Sequence, residues 1–251
     1  MSDIANKVET LMEAMPYLQK YQGKIIVIKY GGNAMINEEL KDAVMHDVVL
    51  LKLLGMKPVL SHGGGPGINK MLEKLDIPVE FIEGLRYTSA DIMRVVEMVL
   101  VGQVNTELVG FINKLGGKAV GLSGVSGDIY HCHQRDEVHG YVGDIDYVDP
   151  KPIFAMLDAG YIPVIAPVGT DGQGHTFNIN GDTAAGKLAS ALGAEKLVIL
   201  TDIEGLCNDI KIRDVISYLN IEDVKALKDK GTIAGGMIPK VDCCVQAIEE
   251  G

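Results

Sequence analysis

The stretch IIVIKYGG, residues 25–32, decides the fold class. Its first four residues form a continuous apolar run that ends near two glycines, which is typical of a parallel strand covered by helices on both faces. Lys29 lies at the end of this strand, and the glycines after it lack a Cβ, so backbone N–H groups can approach an anion there. The stretch therefore predicts a buried strand and a candidate phosphate site. A routine turn with Lys29 in solvent explains the same residues equally well when they are taken alone.

The same order of strand, glycine turn and helix recurs along the chain. Helices are predicted over 38–54 and from the glycines at 63–65 through Leu75, and apolar strands over 57–61, 119–122, 162–166 and 197–200. The polar, alternating segment 128–148 predicts a β-hairpin. Helices between apolar strands indicate an α/β fold, a three-layer αβα sandwich with a mainly parallel central sheet. Glycine and aspartate cluster at 169–174, which is the candidate internal boundary.

A second glycine turn, HGGGPG at residues 62–67, also follows an apolar strand and precedes a helix. Its N–H groups and the helix N-terminus would attract a negative group. In open α/β sheets such turns meet in one crevice, so this turn favours the anion-site interpretation of Lys29. It is a poor dinucleotide-binding fingerprint, because Lys70 stands where the third glycine of GxGxxG should be.

The stretch GDTAAGKL, residues 181–188, satisfies the GxxxxGK part of a P-loop. Leu188 stands where a Mg²⁺-binding Ser or Thr is needed, and the alanine-rich sequence favours a helix. In that alternative Asp182 lies in the first turn of the helix. Asn178 and Asn180, which precede it, share one face of a strand and could bind a carboxylate.

Two later segments add candidate nucleotide contacts. TDIEGL, residues 201–206, closes a buried strand with a polar turn, a common place for nucleotide contacts. GGMIPK, residues 235–240, leads into a helix with Lys240 in its first turn, where the helix dipole disfavours a cation. A bound anion would explain this lysine, and so would simple solvation.

Composition limits the functional classes. The chain has 251 residues, a net charge of −11 and no long basic run, which argues against a nucleic-acid surface. We expect no signal peptide and no membrane span, and hence a cytoplasmic protein whose four cysteines are free thiols. His131-Cys132-His133 suggests a metal site, but a strand would place the two histidines on the opposite face from Cys132. We therefore expect no metal ligands from protein side chains.

Taken together, these motifs resemble the amino-acid kinases, from about Lys24 to the end of the chain. The resemblance rests on KYGG at Lys29, HGGGPG at His62, TDIEG at Thr201 and GGMIPK at Gly235. Two further motifs, GLRYT at residues 84–88 and NINGD at 178–182, point to the branch that acts on N-acetyl-L-glutamate. The resemblance implies a carbamate-kinase-like fold and ATP-dependent phosphorylation of the γ-carboxylate, giving N-acetyl-L-glutamyl 5-phosphate in the second step of arginine biosynthesis.

The resemblance also implies roles for single residues. Lys29 and Lys240 would contact the transferred phosphoryl group, and Asp182 would organise both lysines. The substrate would be bound by Gly64, Gly65, Arg86, Asn178 and Asn180. The nucleotide and its phosphates would be bound by Gly31, Gly32, Thr201, Asp202, Gly205, Gly235, Gly236 and Met237. The cofactor would be ATP, with Mg²⁺ carried on the nucleotide.

These roles agree with the chemistry of the reaction. A γ-carboxylate has a pKa of about 4.3, so at neutral pH it is an ionised nucleophile that needs no general base. Two anions must still approach one another, so catalysis requires positioning and cationic stabilisation. The alternatives are a sister kinase with another acyl acceptor and a non-catalytic effector-binding regulator. Intact Lys29, Asp182 and Lys240 disfavour the regulator.

The expected organisation is an N-terminal helical extension at 1–22 and a single kinase domain at 23–251. Within the domain we expect a substrate lobe at about 23–175 and a nucleotide lobe at about 176–251. Residues 3–15 form an amphipathic helix that Pro16 should kink or end. By the resemblance this helix would build a homodimer or hexamer, with L-arginine as allosteric inhibitor and a PII-type protein as a further partner. Family members usually continue with another strand and helix beyond the point where this sequence stops.

Overall fold

The computed structural model describes residues 2–201, 205–209 and 214–251. Its α-helices are α1 (Ser2–Tyr21), α2 (Glu38–Leu53), α3 (Gly65–Lys74), α4 (Ala90–Glu97), α5 (Thr106–Lys114), α6 (Lys151–Asp158), α7 (Gly181–Ala191), α8 (Ile221–Asp229) and α9 (Met237–Glu249). Its strands are β1 (Ile25–Tyr30), β2 (Lys57–His62), β3 (Phe81–Ile82), β4 (Leu85–Arg86), β5 (Ala119–Ser123), β6 (Tyr130–Gln134), β7 (Gly143–Val148), β8 (Ile162–Ala166), β9 (Val168–Thr170), β10 (Thr176–Asn178), β11 (Lys196–Ile199), β12 (Cys207–Asp209) and β13 (Asp214–Val215). A π-helical segment, Met98–Asn105, joins α4 to α5.

The central sheet has five strands in the order β11-β1-β2-β8-β5, and all its neighbours pair in parallel. Alternate residues of β1 enter different cores, because successive side chains of a strand point to opposite faces. Ile26 and Ile28 pack in one apolar cluster, and Val27 packs in the other. This arrangement confirms the predicted α/β fold with a parallel sheet between helical layers.

A second sheet lies beside the first, with the strand order β10-β9-β6-β7. Its strands β6 and β7 pair antiparallel, which confirms the hairpin predicted within residues 128–148. Strands β9 and β10 also pair antiparallel, so the glycine cluster at residues 169–174 lies in and beside the turn that joins them. The polypeptide passes from this sheet directly into α7, which leads to the edge strand β11.

The histidines of the hairpin are paired with aspartates. His131 Nδ1 lies 3.4 Å from Asp128 Oδ2, and His133 Nδ1 lies 2.8 Å from Asp146 Oδ1. Cys132 is buried between them, and all four cysteines of the chain are free. Across residues 2–201, 205–209 and 214–251, the structure contains no group of three His, Cys, Asp or Glu side chains suited to a metal ion.

Helix α1 differs from the prediction at its C-terminal end. Pro16 does not end the helix, which continues to Tyr21. A proline inside a helix removes one N–H donor, but the residues after it keep theirs. The apolar side of α1 is largely uncovered by the described chain, since the side chains of Val8, Leu11 and Met12 are 54%, 64% and 63% exposed.

One helical segment is more apolar over its length than predicted. The 25 residues Ala90–Lys114 are long and apolar enough to cross a membrane by length and composition alone, with a window of mean hydropathy 1.5. No stretch was expected to approach this limit. The side chains of Val95, Val96, Val99 and Leu100 are buried in the main apolar cluster, which accounts for the apolar character of the segment.

Candidate active site

A cavity of about 250 Å³ opens at the carboxyl ends of β1 and β2. This is the edge of a parallel sheet where ligands of open α/β folds bind. Its charged and amide lining consists of Lys29, Arg86, Asn178, Asn180 and Asp182, and its glycine lining includes Gly32, Gly63, Gly64, Gly65 and Gly181. Residues far apart in sequence therefore meet in one polar cavity, and most of them are residues that the sequence singled out.

Asp182 contacts both lysines that were predicted to act on the phosphoryl group. Lys29 Nζ lies 2.9 Å from Asp182 Oδ1, and Lys240 Nζ donates a hydrogen bond of 3.0 Å to Asp182 Oδ2. Lys29 is the penultimate residue of β1, Asp182 lies in the first turn of α7, and Lys240 lies in the first turn of α9. The carboxylate thus connects three elements and places two ammonium groups side by side.

The charges of this trio stabilise one another away from bulk water. The side chains of Lys29, Asp182 and Lys240 are 8%, 12% and 24% exposed. Burial raises the pKa of Asp182, but the positive charges of Lys29 and Lys240 outweigh it, and the net pKa lies below the ordinary value. At neutral pH the carboxyl group is therefore ionised and carries the charge that holds both lysines.

Asn180 is the N-cap of α7. Its Oδ1 accepts hydrogen bonds from the backbone N–H groups of Asp182 and Thr183, at 2.9 and 3.1 Å. Asp182, in the first turn of α7, is therefore free to use both carboxylate oxygens on the lysines. The helix also rules out a P-loop conformation at residues 181–188, and Lys187 pairs with Glu250 at 2.6 Å, away from the site.

Arg86 lines the cavity and has one buried donor without a partner. Its guanidinium donates from Nη2 to Asn69 Oδ1 at 2.5 Å and stacks on the Phe81 ring at 4.8 Å, while the buried Nη1 has no hydrogen-bond partner. A buried, charged donor without a partner is costly, so its persistence points to an anion that binds there. Nearby, Asn178 Nδ2 donates to Thr88 Oγ1 at 3.2 Å. Sequence reasoning missed Asn69 and Phe81, because neither belongs to a recognisable motif.

Steric contacts explain why the second turn contains glycine at its centre. A Cβ on Gly64 would lie 2.3 Å from Leu100 Cδ2, so a side chain there would require the Leu100 side chain to move. Gly31 is also confined, since a Cβ would lie 3.0 Å from Lys29 Nζ. Gly65 has open space around the same position, so its backbone could be approached by a ligand.

A second cavity of about 320 Å³ lies on the other side of Lys240. Its lining is mostly apolar and comes from β11, α8, α9 and the segments between them: Ile199, Leu206, Leu219, Ile221, Val224, Met237, Val241, Val245 and Ile248, together with Thr201, Gly205, Lys240 and Cys244. An apolar cavity next to a lysine suits a nucleotide, because the flat faces of its base pack on apolar side chains and its phosphates are anionic.

The predicted nucleotide and phosphate residues divide into four groups. Of the two glycines that follow β1, Gly32 lines the polar cavity, and Gly31 lines neither of the two cavities. Thr201, Gly205 and Met237 line the apolar cavity. Gly235 and Gly236 are exposed at the start of α9 and do not line either cavity. Asp202 lies outside the described residues.

Comparisons with known proteins agree with this architecture. The profile of the Amino acid kinase family matches residues 24–251. An acetylglutamate kinase of Heliobacterium modesticaldum is 51% identical over 258 residues, which cover 98% of this chain and 88% of that protein. The structure of smu.665 from Streptococcus mutans UA159 superposes with a TM-score of 0.80 at 31% identity, over 90% of this chain and 91% of that one.

A third similarity concerns the fold alone. N-acetylglutamate synthase from Neisseria gonorrhoeae, complexed with coenzyme A and N-acetyl-glutamate, superposes with a TM-score of 0.84 at 24% identity. The match covers 97% of this chain and 56% of the synthase. The family profile and the sequence identity to the bacterial kinase lead to one conclusion: the chain belongs to the amino acid kinase family.

Proposed function

We propose that this chain transfers the γ-phosphoryl group of ATP to the γ-carboxylate of N-acetyl-L-glutamate, a step of arginine biosynthesis. The name of the relative from H. modesticaldum, at 51% identity over nearly the whole chain, supports the reaction and its acceptor. The observation that carries the proposal is the bridge from Lys29 through Asp182 to Lys240. It places two cations between a polar cavity and an apolar one, where a carboxylate and a nucleotide would meet.

In this proposal the two lysines compensate charge during transfer. Two anionic reactants must approach in line, and preorganised cations lower that barrier without reorganising at the moment of reaction. Lys29 would face the acceptor side, since it lines the polar cavity, and Lys240 would face the nucleotide side, since it lines the apolar one. Asp182 would hold both ammonium groups in place. Mg²⁺ carried on ATP would add further neutralisation of the phosphate oxygens.

Arg86 would bind the α-carboxylate of the acceptor. The planar guanidinium forms paired hydrogen bonds with carboxylates, and its Nη1 is buried without a partner. Asn178 and the N–H groups of Gly64 and Gly65 line the same cavity and would complete the acceptor site. The cavity of about 250 Å³ suits a small dicarboxylate.

The distribution of the cavities supports the proposed division into two lobes. The apolar cavity is lined only by residues from Ile199 to Ile248, which fall within the proposed nucleotide lobe. The polar cavity takes residues from both proposed lobes, such as Lys29 and Asp182. We therefore keep the division at about residue 175 as a proposal, with the acceptor bound where the lobes meet.

A panel of acceptors tests the proposed reaction. With ATP and Mg²⁺, trapping of acyl phosphate by hydroxylamine should give product from N-acetyl-L-glutamate and little from glutamate, aspartate or carbamate. The Lys29→Met variant should lose about 10²- to 10³-fold in kcat, as expected when one charge-stabilising donor is removed.

The panel also separates the alternatives. Turnover of a different acceptor would identify a sister kinase. An absence of turnover with every acceptor, in protein that is folded by circular dichroism, would favour a non-catalytic regulator and contradict the proposal.

A second prediction concerns Arg86. Arg86→Lys should raise KM for N-acetyl-L-glutamate by about 10- to 100-fold and change KM for ATP by less than about 2-fold, because a lysine cannot make the paired contact with a carboxylate. Steady-state kinetics with each substrate varied in turn gives both constants. Arg94→Lys is the matched control, since Arg94 is 77% exposed and pairs with Asp91 on the surface. An equal rise in KM for ATP would argue against the assignment.

We also propose that α1 mediates assembly into a homodimer or hexamer and that L-arginine inhibits the enzyme. The exposed apolar residues of α1 support this, because a helix that only covered its own sheet would bury them. A PII-type protein would be a further regulatory partner. We place the reaction in the cytoplasm, where ATP is available.

Deletion of residues 1–20 tests the assembly proposal. By light scattering, the full chain should have the mass of a dimer or a hexamer. The deletion should lower that mass and weaken inhibition by L-arginine. The paired change of Leu11 and Met12 to Glu should act in the same direction, whereas Glu13→Gln, on an exposed polar residue of α1, should not. An unchanged oligomer and an unchanged response to arginine after the deletion would refute the role of α1.

A further inference from the structure

We infer that His62 and Asn105 form a positioning pair for the reaction: they hold the Gly63–Gly64 peptide so that the Gly64 N–H faces the anion cavity. The inference rests on the proposed function, because it assigns a role in the same site. Neither side chain lines the polar cavity, so neither would touch the substrate directly. Both would act through the backbone of the glycine turn.

The hydrogen bonds of Asn105 fix the orientation of its amide. Its Nδ2 lies 2.9 Å from Val164 O and 3.2 Å from Leu122 O. Carbonyl oxygens only accept hydrogen bonds, so the nitrogen of the amide must face them. The same Nδ2 lies 3.0 Å from His62 Nε2. The amide nitrogen has two N–H groups for these three acceptors, so one N–H group is shared between two of them. Because this nitrogen can only donate, the facing His62 Nε2 accepts and carries no proton.

The proton of a neutral His62 must then be on Nδ1. That nitrogen lies 2.8 Å from Gly63 O, so it donates to this carbonyl. The ring is completely buried, and burial lowers the pKa of His62 to about 4 despite the contact with Gly63 O, which raises it. The imidazole is therefore neutral at neutral pH and is held in one tautomer by its two neighbours.

This contact sets the direction of the next N–H group. In a planar trans peptide the C=O of one residue and the N–H of the next point in opposite directions. Since the Gly63 carbonyl points to the buried ring, the Gly64 N–H points away from it. The Gly63 N–H is also anchored, because it donates to Tyr30 O at 2.8 Å. Gly64 lines the polar cavity, and in the described part of the chain its N–H has no recorded acceptor.

The π-helical segment packs against the glycine turn. Asn105 is its last residue, and two earlier residues, Leu100 and Val104, lie 2.3 and 3.5 Å from where a Cβ of Gly64 would be. One short segment therefore both closes the space behind Gly64 and fixes the tautomer of His62. π-Helical turns are rare and occur often at functional sites, where an extra residue redirects a side chain.

Two substitutions of His62 separate the positioning role from a packing role. In His62→Asn the amide nitrogen can take the place of Nδ1 and still donate to Gly63 O. In His62→Gln the amide reaches the Nε2 position and can contact Asn105, but no donor remains for Gly63 O. We expect kcat to fall by about 10²-fold in His62→Gln, the effect of losing one preorganised donor, and by less than about 10-fold in His62→Asn. KM for ATP should stay within about 2-fold in both.

If His62 only filled space in the core, the two variants would rank in the opposite order of kcat. Asn is smaller than Gln and leaves the larger void, so a role limited to core packing would make His62→Asn the more damaged variant. Thermal unfolding of both variants shows whether they remain folded. A kcat for His62→Gln equal to that of the unmodified chain, or lower activity in His62→Asn than in His62→Gln, would overturn the inference.

A spectroscopic measurement requires no substrate. Long-range ¹H–¹⁵N correlation spectra of the ¹⁵N-labelled chain at neutral pH should show His62 protonated at Nδ1 and unprotonated at Nε2. The opposite tautomer would refute the positioning pair even if the kinase reaction is established. Conversely, this tautomer could be observed although no acceptor of the panel is phosphorylated. The proposed reaction would then be wrong, while the inferred hydrogen bonds of His62 would still hold.

Discussion

The ion pairs between Asp182 and its two lysines determine how the rest of the site is arranged. A single, partly buried carboxylate contacts Lys29 from the first strand of the sheet and Lys240 from the last described helix. Removing the charge of Asp182 would leave two cations close together in a partly buried place, an arrangement that is strongly unfavourable. The carboxylate therefore gives the lysines a stable position from which a transferred phosphoryl group can be stabilised, and it connects the polar cavity to the apolar one.

The glycine turn after β2 supplies what the lysines lack, a set of directed backbone N–H groups. Its geometry depends on groups behind it as much as on its own flexibility. Leu100 excludes a side chain at Gly64, and the His62 ring orients the peptide before it. The lysines provide positive charge, and the glycine turn provides oriented N–H groups. These two parts of the fold meet at the carboxyl edge of the sheet.

The sequence was sufficient to predict the elements that depend on local patterns. Apolar runs predicted the parallel strands, and Leu188, in place of a Mg²⁺-binding residue, helped to exclude a P-loop at α7. Contacts between segments that are distant in the sequence could not be predicted from it. No spacing reveals that Asn105 reaches His62, or that Arg86 stacks on Phe81, because these pairs form only when the fold brings the elements together. Of the two outcomes predicted at Pro16, a kink or an end, the end does not occur, since one missing donor does not stop a helix whose other hydrogen bonds remain.

The unfolding free energy of Asp182→Asn, measured by denaturant titration across pH, tests the central role of this carboxylate most directly. The folded-state pKa of Asp182 is depressed, so its stabilisation should be complete above the unfolded value of about 3.9 and be lost as pH falls through the folded value. We predict a loss of about 3–5 kcal/mol at neutral pH that shrinks in acid. Asp158→Asn, at a surface pair that is 72% exposed on the carboxylate side, should cost less than about 1 kcal/mol. An equally small, pH-independent effect at Asp182 would contradict the account.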